Sequence, residues 1–414
     1  MMNKIPEHML RPLYIERVRP FIGKGVIKVL TGQRRVGKSY LLFQLMDLVR
    51  LSHPRTRIVF LNRELPEFSH IQTAKDLTQW ANQQFSTGKN NALFVDEVQE
   101  IDGFEIALRG LLAQGNCDIF CTGSNAQMLS GELATRLAGR YVEFQIHSLE
   151  YREFLQFHNK LPGKSTLLQY LQMGGMPHLS RIGLDEYVVQ EYLGNIISTV
   201  LLKDVVAREG IRNVHFLERL LQYLADNVGN LFSANNISKY LKSQHVQINV
   251  NTLLQYLKAF DHAFLVHRVT RVDIQGLQLF AIGEKVYFED LGIRNSLQPF
   301  QAIRDLGKLI ENAVFLKLVQ HQYKVMIGQN GTKEIDFVAK RGQETLYIQA
   351  CYLLADEATW EREFGNLLAI PDNEPKLVIS MDEHPQGSRY KGVIHWNLEA
   401  FLLADPAQWA TPSK

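Results

Sequence analysis

One stretch constrains this chain more than any other: Gly32-Gln33-Arg34-Arg35-Val36-Gly37-Lys38-Ser39. It reads Gly-x4-Gly-Lys-Ser and sits between the apolar run Val26-Ile27-Lys28-Val29-Leu30 and the helical start Tyr40-Leu41-Leu42. That strand-loop-helix setting gives the match physical meaning. Gly32 and Gly37 allow backbone conformations that a Cβ would forbid, so successive N–H groups can turn inward and, with the N-terminus of the next helix, surround phosphate oxygens. Lys38 adds a point charge for the β and γ phosphates, and Ser39 a hydroxyl for Mg²⁺. The spacing implies a nucleoside triphosphate bound by Gly32, Gln33, Arg34, Arg35, Val36, Gly37, Lys38, Ser39 and Tyr40. A plain glycine turn is the bland alternative.

Further strands follow. Arg57–Leu61 reads as a second strand and Asn91–Val95 as a third that runs straight into Asp96-Glu97. Continuous apolar strands alternating with helical segments such as 71–86 and 104–114 predict an α/β fold with a parallel sheet covered on both faces. Ligands of such sheets gather at the carboxyl ends of the strands. Asp96 is placed to hold the Mg²⁺ shell, together with Ser39, and Glu97 to orient and deprotonate an attacking water. The alternative is two acids that cap a helix. A fourth strand, Cys117–Thr122, leads into Gly123-Ser124-Asn125, where Ser124 or Asn125 could touch both the γ-phosphate and the water, or Asn125 could simply cap a helix from Ala126. After Thr135-Arg136-Leu137-Ala138-Gly139-Arg140 comes a fifth strand, Tyr141–Phe144. Arg140 stands where an arginine finger would project toward a neighbouring subunit's nucleotide, or is a solvated arginine.

Composition excludes little. At 414 residues, 46% hydrophobic and 21% charged, the chain suits a globular protein of about three domains. A net charge of +2 neither demands nor opposes a nucleic-acid partner. Cys117 and Cys121 lie about 13 Å apart along one strand, too far to bridge, and with Cys351 read as buried apolar groups in a reducing compartment. The N-terminus carries Lys4, Glu7, Arg11, Glu16 and Arg17 without an apolar core, so it resembles no signal peptide. The longest apolar stretch, Ile196 to Leu202, is broken by Ser198 and Thr199 and falls short of a membrane span. A cytoplasmic protein with no membrane partner is expected.

The paired arginines of the loop, Val95-Asp96-Glu97-Val98-Gln99, Thr122-Gly123-Ser124-Asn125, Leu137-Ala138-Gly139-Arg140 and Leu149-Glu150-Tyr151-Arg152-Glu153-Phe154 together resemble the prokaryotic AAA+ superfamily ATPases whose C-terminal half is a conserved domain of unknown function. The resemblance continues through Gly174-Gly175-Met176-Pro177, Lys285–Asp290, Gly292-Ile293-Arg294-Asn295 and Glu311–Phe315, and so covers nearly the whole chain. It implies a P-loop NTPase core of AAA+ type over 1–150, ATP and Mg²⁺ as ligands, and a helical lid over 151–215. Helical spacing at Leu167-Leu168-Tyr170-Leu171 and through Tyr187 to Ile197 agrees with a lid. Gly175-Met176-Pro177 is similar to a Gly-x-Pro element of related signalling ATPases, which implies that Pro177 contacts adenine, unless the element is only a helix-breaking turn.

From about Phe216 the pattern becomes short helices ending in a hairpin. Ser233 can cap a helix through Leu241, and Asn249 or Asn251 a second reaching His262, with Val250, Leu253, Leu254, Leu257 and Phe260 inward. Phe264–Val269 and Leu277–Phe280 then pair as a wing, which predicts a winged helix over 216–284. Its outward Asn251, Gln255, Lys258 and His262, helped by Arg268 and Arg271, suit base edges and phosphates of DNA. Packing against the ATPase or another protein is the alternative.

Residues 285–414 carry a separate constellation. Glu311 on a helix, Asp336 on one strand and Gln349-Ala350-Cys351 on the next resemble the restriction-endonuclease-like fold, in which an acid-x-Lys occupies the last position. Gln349 replaces the acid and Cys351 the lysine, so two charged ligands remain and the cation is lost; a neutral thiol cannot supply an ammonium. A degenerate nuclease-like domain is expected. The chain therefore reads as a Mg²⁺-dependent ATPase, oligomeric if Arg140 acts between subunits, that engages DNA, branched DNA by analogy with junction-resolving enzymes of that fold. Its rivals are a nucleotide switch acting on a protein partner and an ATP-gated nuclease in which a displaced basic residue takes over from the missing lysine.

Overall fold

The computed structural model describes residues 8–87, 90–126, 139–211, 213–243, 248–274, 276, 279–383 and 388–410. It divides into two compact units, residues 1–147 with 262–264, and residues 148–261 with 265–414.

The first unit is built on five parallel strands: β1 Ile27–Thr31, β2 Arg57–Asn62, β3 Asn91–Asp96, β4 Cys117–Gly123 and β5 Tyr141–Gln145, in the order β2-β3-β4-β1-β5. Every residue of β1 and β3 is buried, the polar Lys28, Thr31, Asn91 and Asp96 included, as mostly apolar strands are when helices cover both faces. The helix Lys38–Ser52 buries Leu41, Leu42, Leu45, Met46 and Val49. On another part of the sheet, Leu77 and Ala81 of Ala74–Gln84 join Phe104, Leu108 and Leu111 of Phe104–Ala113 in one apolar cluster with Val29, Val59 and Val95. Helix Ala74–Gln84 starts at a capping box in which Thr73 and Asp76 satisfy each other's backbone donors. Cys121 is sealed in this core, and burial pushes its thiol up to about 12, so it behaves as a small apolar side chain. The register places Gly32, Asp96 and Ser124 at the carboxyl ends of three adjacent strands, β3, β4 and β1. The helix expected from Ala126 and the segment Thr135 to Ala138 lie outside the described residues.

The second unit carries an eight-stranded mixed sheet. Its strands are β6 Val266–Asp273, β7 Leu279–Phe288, β8 Lys324–Asn330, β9 Lys333–Arg341, β10 Glu344–Ala350, β11 Lys376–Ser380, β12 Arg389–Tyr390 and β13 Val393–Asn397, ordered β12-β13-β11-β10-β9-β8-β6-β7. The hairpin expected as a wing is the edge of this sheet: β7 pairs antiparallel with β6, and β6 runs parallel to β8. No sheet boundary therefore falls between residues 284 and 285. Backbone pairing outruns the short turn pattern here, because β7 continues to Phe288. Within the helix Val250–His262, Leu254 is 40% exposed and Tyr256 is buried, so the inner face is rotated from the one the sequence predicts.

The helices expected as a lid, Tyr151–Phe157, Lys164–Met173 and Glu186–Val200, belong to this second unit. Lys164–Met173 is met by the helix Leu291–Leu297 so closely that a Cβ on Gly292 would lie 2.1 Å from the Met173 carbonyl oxygen, and Asn295 donates to the carbonyls of Leu171 and Gln172 at 3.0 and 2.8 Å. Beneath them Arg294 is fully buried. It donates to Ala225 O at 2.8 Å, to Asn295 Oδ1 at 3.0 Å and to the equally buried Asp305 at 3.1 Å.

Breaking a buried ion pair from one side strands the other charge. Arg294→Ala should therefore cost about 3–5 kcal/mol of folding free energy, read by urea denaturation, while leaving the exposed Arg304 as the ion partner of Asp305. An unchanged unfolding midpoint would show that the pair holds nothing together.

Candidate active site

The loop after β1 is shaped by backbone that side chains tolerate poorly. Gly32 has φ 141°, and a Cβ there would lie 2.2 Å from the carbonyl oxygen of Ile146; Arg35 and Gly37 take φ 73° and 98°. Lys38 is buried, and its ammonium donates to the carbonyls of Gly32 at 2.8 Å and Gln33 at 2.9 Å. The Gln33 amide is fully buried with no hydrogen-bond partner on either atom among the described residues. Arg35 and Tyr40 are exposed.

A residue that sequence reasoning missed braces this loop. Arg11, only 3% exposed, donates to Val36 O and His147 O at 3.0 Å each, and its guanidinium lies 4.6 Å from the Tyr14 ring centre. Its backbone N–H donates to Gln44 Oε1 at 3.0 Å. No local pattern marks an arginine whose partners lie 25 and 136 residues away.

The two acids meet the loop as expected. Asp96 is buried at the end of β3, accepts a hydrogen bond from the Thr122 hydroxyl at 2.6 Å and is also bonded by the Ser39 hydroxyl. Burial pushes its pKa up to about 6, against the opposing pull of those hydroxyls and Lys38. Glu97 takes a left-handed φ of 55°, and its N–H donates to the same Thr122 hydroxyl oxygen at 2.8 Å. Burial favours its neutral form. Lys38, a Gln99 hydrogen bond, Arg34 and Ser124 outweigh burial and hold Glu97 below the ordinary glutamate range. The pair is thus differentiated: one acid guarded by hydroxyls, the other kept ionised by cations.

Ser124 and Asn125 are both buried at the end of β4. Ser124 accepts from Gln99 Nε2 at 3.3 Å, which bonds it into the Glu97 network. Arg140 is exposed immediately before β5. Pro177, in the second unit, follows Gly175, whose N–H donates to Asp290 at 2.7 Å and where a Cβ would lie 2.3 Å from Leu149 O. Packing thus leaves no room for a side chain at Gly175. The arrangement around Lys38, Ser39, Asp96 and Glu97 fits a triphosphate with a divalent cation: a cradle closed to Cβ atoms, an ammonium held on exchangeable carbonyl contacts, and a hydroxyl beside a carboxylate as hard oxygen donors.

In the second unit, Glu311, Asp336 and Gln349 do converge, on a cavity of about 410 Å³. The expected loss of the cation is corrected by Lys285 of β7, which is buried and lies 2.8, 2.9 and 3.3 Å from oxygens of Glu311, Glu334 and Asp336. These carboxylates outweigh burial and hold its pKa above the ordinary lysine range. Burial pushes Glu311 up, and Tyr287 donates to it at 2.6 Å. Gln349 accepts from Asp336 N–H at 2.7 Å and donates to Glu363 at 2.8 Å, while Arg362 caps that glutamate at 2.6 Å. Cys351 lines the same cavity with its thiol pushed up by burial. Glu334 was legible, since it lies two residues before Asp336 and shares its strand face. Lys285 arrives from β7, at the edge of the sheet and not paired with β9, and Glu363 from a helix, and no spacing rule connects them.

Of the DNA candidates, Asn251, Gln255 and Lys258 are exposed on one helix. Arg268 is not a free cation on a wing: Glu284 accepts from its Nε at 2.9 Å and Nη2 at 3.0 Å across the β6–β7 pair. Arg271 is half-buried beside Gly283. No helix among the described residues is long and apolar enough to cross a membrane.

The Asp96 shift has a thermodynamic consequence. An unfolded aspartate ionises near 3.9, so between about pH 4 and 6 the folded chain holds the proton more tightly, and stability falls as pH rises through that window. Above it, ionised Asp96 costs on the order of 3 kcal/mol. Nucleotide-free Asp96→Asn should therefore be more stable than the parent at pH 7.5 and no more stable at pH 4, by urea denaturation; a pH-independent difference would contradict the burial argument.

Residues 24–155 match the family model described as AAA domain, and residues 164–304 match one described as Domain of unknown function (DUF8612). An uncharacterized protein of Haemophilus influenzae is 33% identical over 400 residues, covering 94% of this chain and 98% of the relative. An uncharacterized protein of Methanocaldococcus jannaschii is 30% identical over 352 residues, covering 81% of this chain and 77% of the relative. Among solved structures, Aeropyrum pernix ORC1 in complex with DNA aligns at 12% identity and a TM-score of 0.32, over 72% of this chain and 96% of that one. AMPPCP-bound DnaA from Aquifex aeolicus aligns at 16% identity and a TM-score of 0.30, over 62% and 86%. Those structural likenesses are too slight to carry an argument about function. Joined end to end with the first relative, and bearing an intact phosphate loop ahead of the matched domain of unknown function, the chain belongs to a family of AAA-domain proteins shared by Haemophilus influenzae and Methanocaldococcus jannaschii.

Proposed function

We propose that this protein binds ATP with Mg²⁺ at the loop, hydrolyses it, and uses the cycle to engage or remodel DNA through its second unit. The observation that carries the reading is the meeting of Lys38, Ser39, Asp96 and Glu97 at the ends of β1 and β3. Lys38 and the loop N–H groups would hold the phosphates, and Ser39 and Asp96 would hold the cation, which supplies charge neutralisation for the departing phosphate. Glu97, ionised at neutral pH, would take the proton of the attacking water. Pro177 would meet adenine, and Arg140 of one subunit would reach the nucleotide of the next. Asn251, Gln255 and Lys258 offer the exposed face for DNA.

One observation favours a second reading, the ATP-gated nuclease. Lys285 brings an ammonium to the Glu311–Asp336 cavity, as a displaced lysine would. Against it, the three carboxylates around Lys285 are already neutralised in part, so a divalent cation must compete with that ammonium.

Lys38→Ala should abolish retention of ATP, whereas Glu97→Gln should retain it and turn over at least about a hundredfold more slowly. Phosphate release measured with and without duplex, single-stranded and junction DNA separates the partners. Stimulation lost in the Asn251, Gln255 and Lys258 alanine variant supports DNA coupling, and flat turnover supports a switch on a protein. DNA cut in Mg²⁺ by the parent and not by Lys285→Ala or Asp336→Asn supports the nuclease; uncut DNA removes it.

A further inference from the structure

Gln99 lies in the short 3₁₀ turn Val98–Glu100 that leaves β3, two residues beyond Glu97. Its Nε2 donates to Glu97 Oε2 in a short hydrogen bond and to Ser124 Oγ at 3.3 Å. Both N–H donors are thus used. Its Oε1 is buried and has no hydrogen-bond partner among the described residues. A carbonyl oxygen buried without a donor forfeits on the order of 1–3 kcal/mol, and this one is left open while the same amide's nitrogen holds a carboxylate and a hydroxyl.

The geometry points to a donor that arrives with the reaction: we propose that Gln99 is a positioning residue for hydrolysis, gripping Glu97 and Ser124 through its Nε2 and accepting one hydrogen of the attacking water at Oε1. The proposal rests on the ATPase reading above. The water oxygen bonds to the γ-phosphorus, the bond from that phosphorus to the bridging oxygen breaks, ADP leaves with the electron pair, and the other water proton goes to Glu97. With one hydrogen on Gln99 and the other on Glu97, the water's lone pair is fixed in direction. Without Gln99, Glu97 keeps its charge partners but loses its aim.

Glu97 is surrounded by Lys38 and Arg34 of the loop, by Asp96 beside it in the chain, and by Ser124 of β4. The Gln99 hydrogen bond is one of the influences that hold its carboxylate ionised.

The test is steady-state ATP hydrolysis by the full chain, with binding of a fluorescent ATP analogue measured alongside. Gln99→Ala should bind the analogue as the parent does, keep its KM and lose at least about tenfold in kcat, a split that loss of packing alone does not produce. Gln99→Glu keeps the side chain's shape and replaces the donor by a second carboxylate, so it should also be slow. Wild-type kcat in both variants, or a loss that falls on KM and analogue binding instead of kcat, would overturn the assignment. A parent that binds the analogue without hydrolysing it would remove the ATPase reading itself, and with it this role for Gln99.

Discussion

One hydroxyl ties the nucleotide end together. Thr122 of β4 donates to Asp96 and, through the same oxygen, accepts the N–H of Glu97, whose backbone is turned into the left-handed region. A left-handed glutamate is uncommon and costs on the order of 1 kcal/mol or more, so something must hold it. Thr122 does so because β4 lies between β3 and β1 in the sheet. Strand order thus decides where the Glu97 carboxylate sits.

The same dependence on distant partners runs through the loop. Gly32 must be glycine because Ile146 backs against it, and Arg11 fixes the carbonyl of Val36 from a segment before the first strand. Neither contact is made within the motif. A phosphate loop of correct spacing is a local pattern, but its geometry is imposed by chain that returns from far along the sequence. The two charged clusters also differ in kind. Lys38 donates to two neutral carbonyls, which a phosphate can replace, and acts on Asp96 and Glu97 by charge, whereas Lys285 lies within 3.3 Å of oxygens of Glu311, Glu334 and Asp336, which give it up only against their mutual repulsion.

Much of the first unit was legible in the sequence. Apolar runs ending in Gly32 and Asp96 located the strands to within a residue or two, because a buried parallel strand has no polar face to blur its pattern. The second unit was less so. Its hairpin read as a wing, yet β6 joins β8, a pairing that alternation of side chains cannot reveal. Leu254 read as core because it fits the helical period, while Tyr256 takes the buried place. Substitutions at Gln349 and Cys351 read as loss of charge, when the charge had arrived from β7 and the helix Glu357–Leu368. Short-range spacing sees what a motif has lost and is blind to what other elements bring in.

The central claim is that the loop and its two acids form a working site for triphosphate cleavage. Single-turnover mixing of purified full-length protein, in excess, with γ-labelled ATP and magnesium tests it most directly. Conversion of the bound nucleotide to ADP and free phosphate is the result this account predicts. ATP that stays unbound at high protein concentration would contradict it.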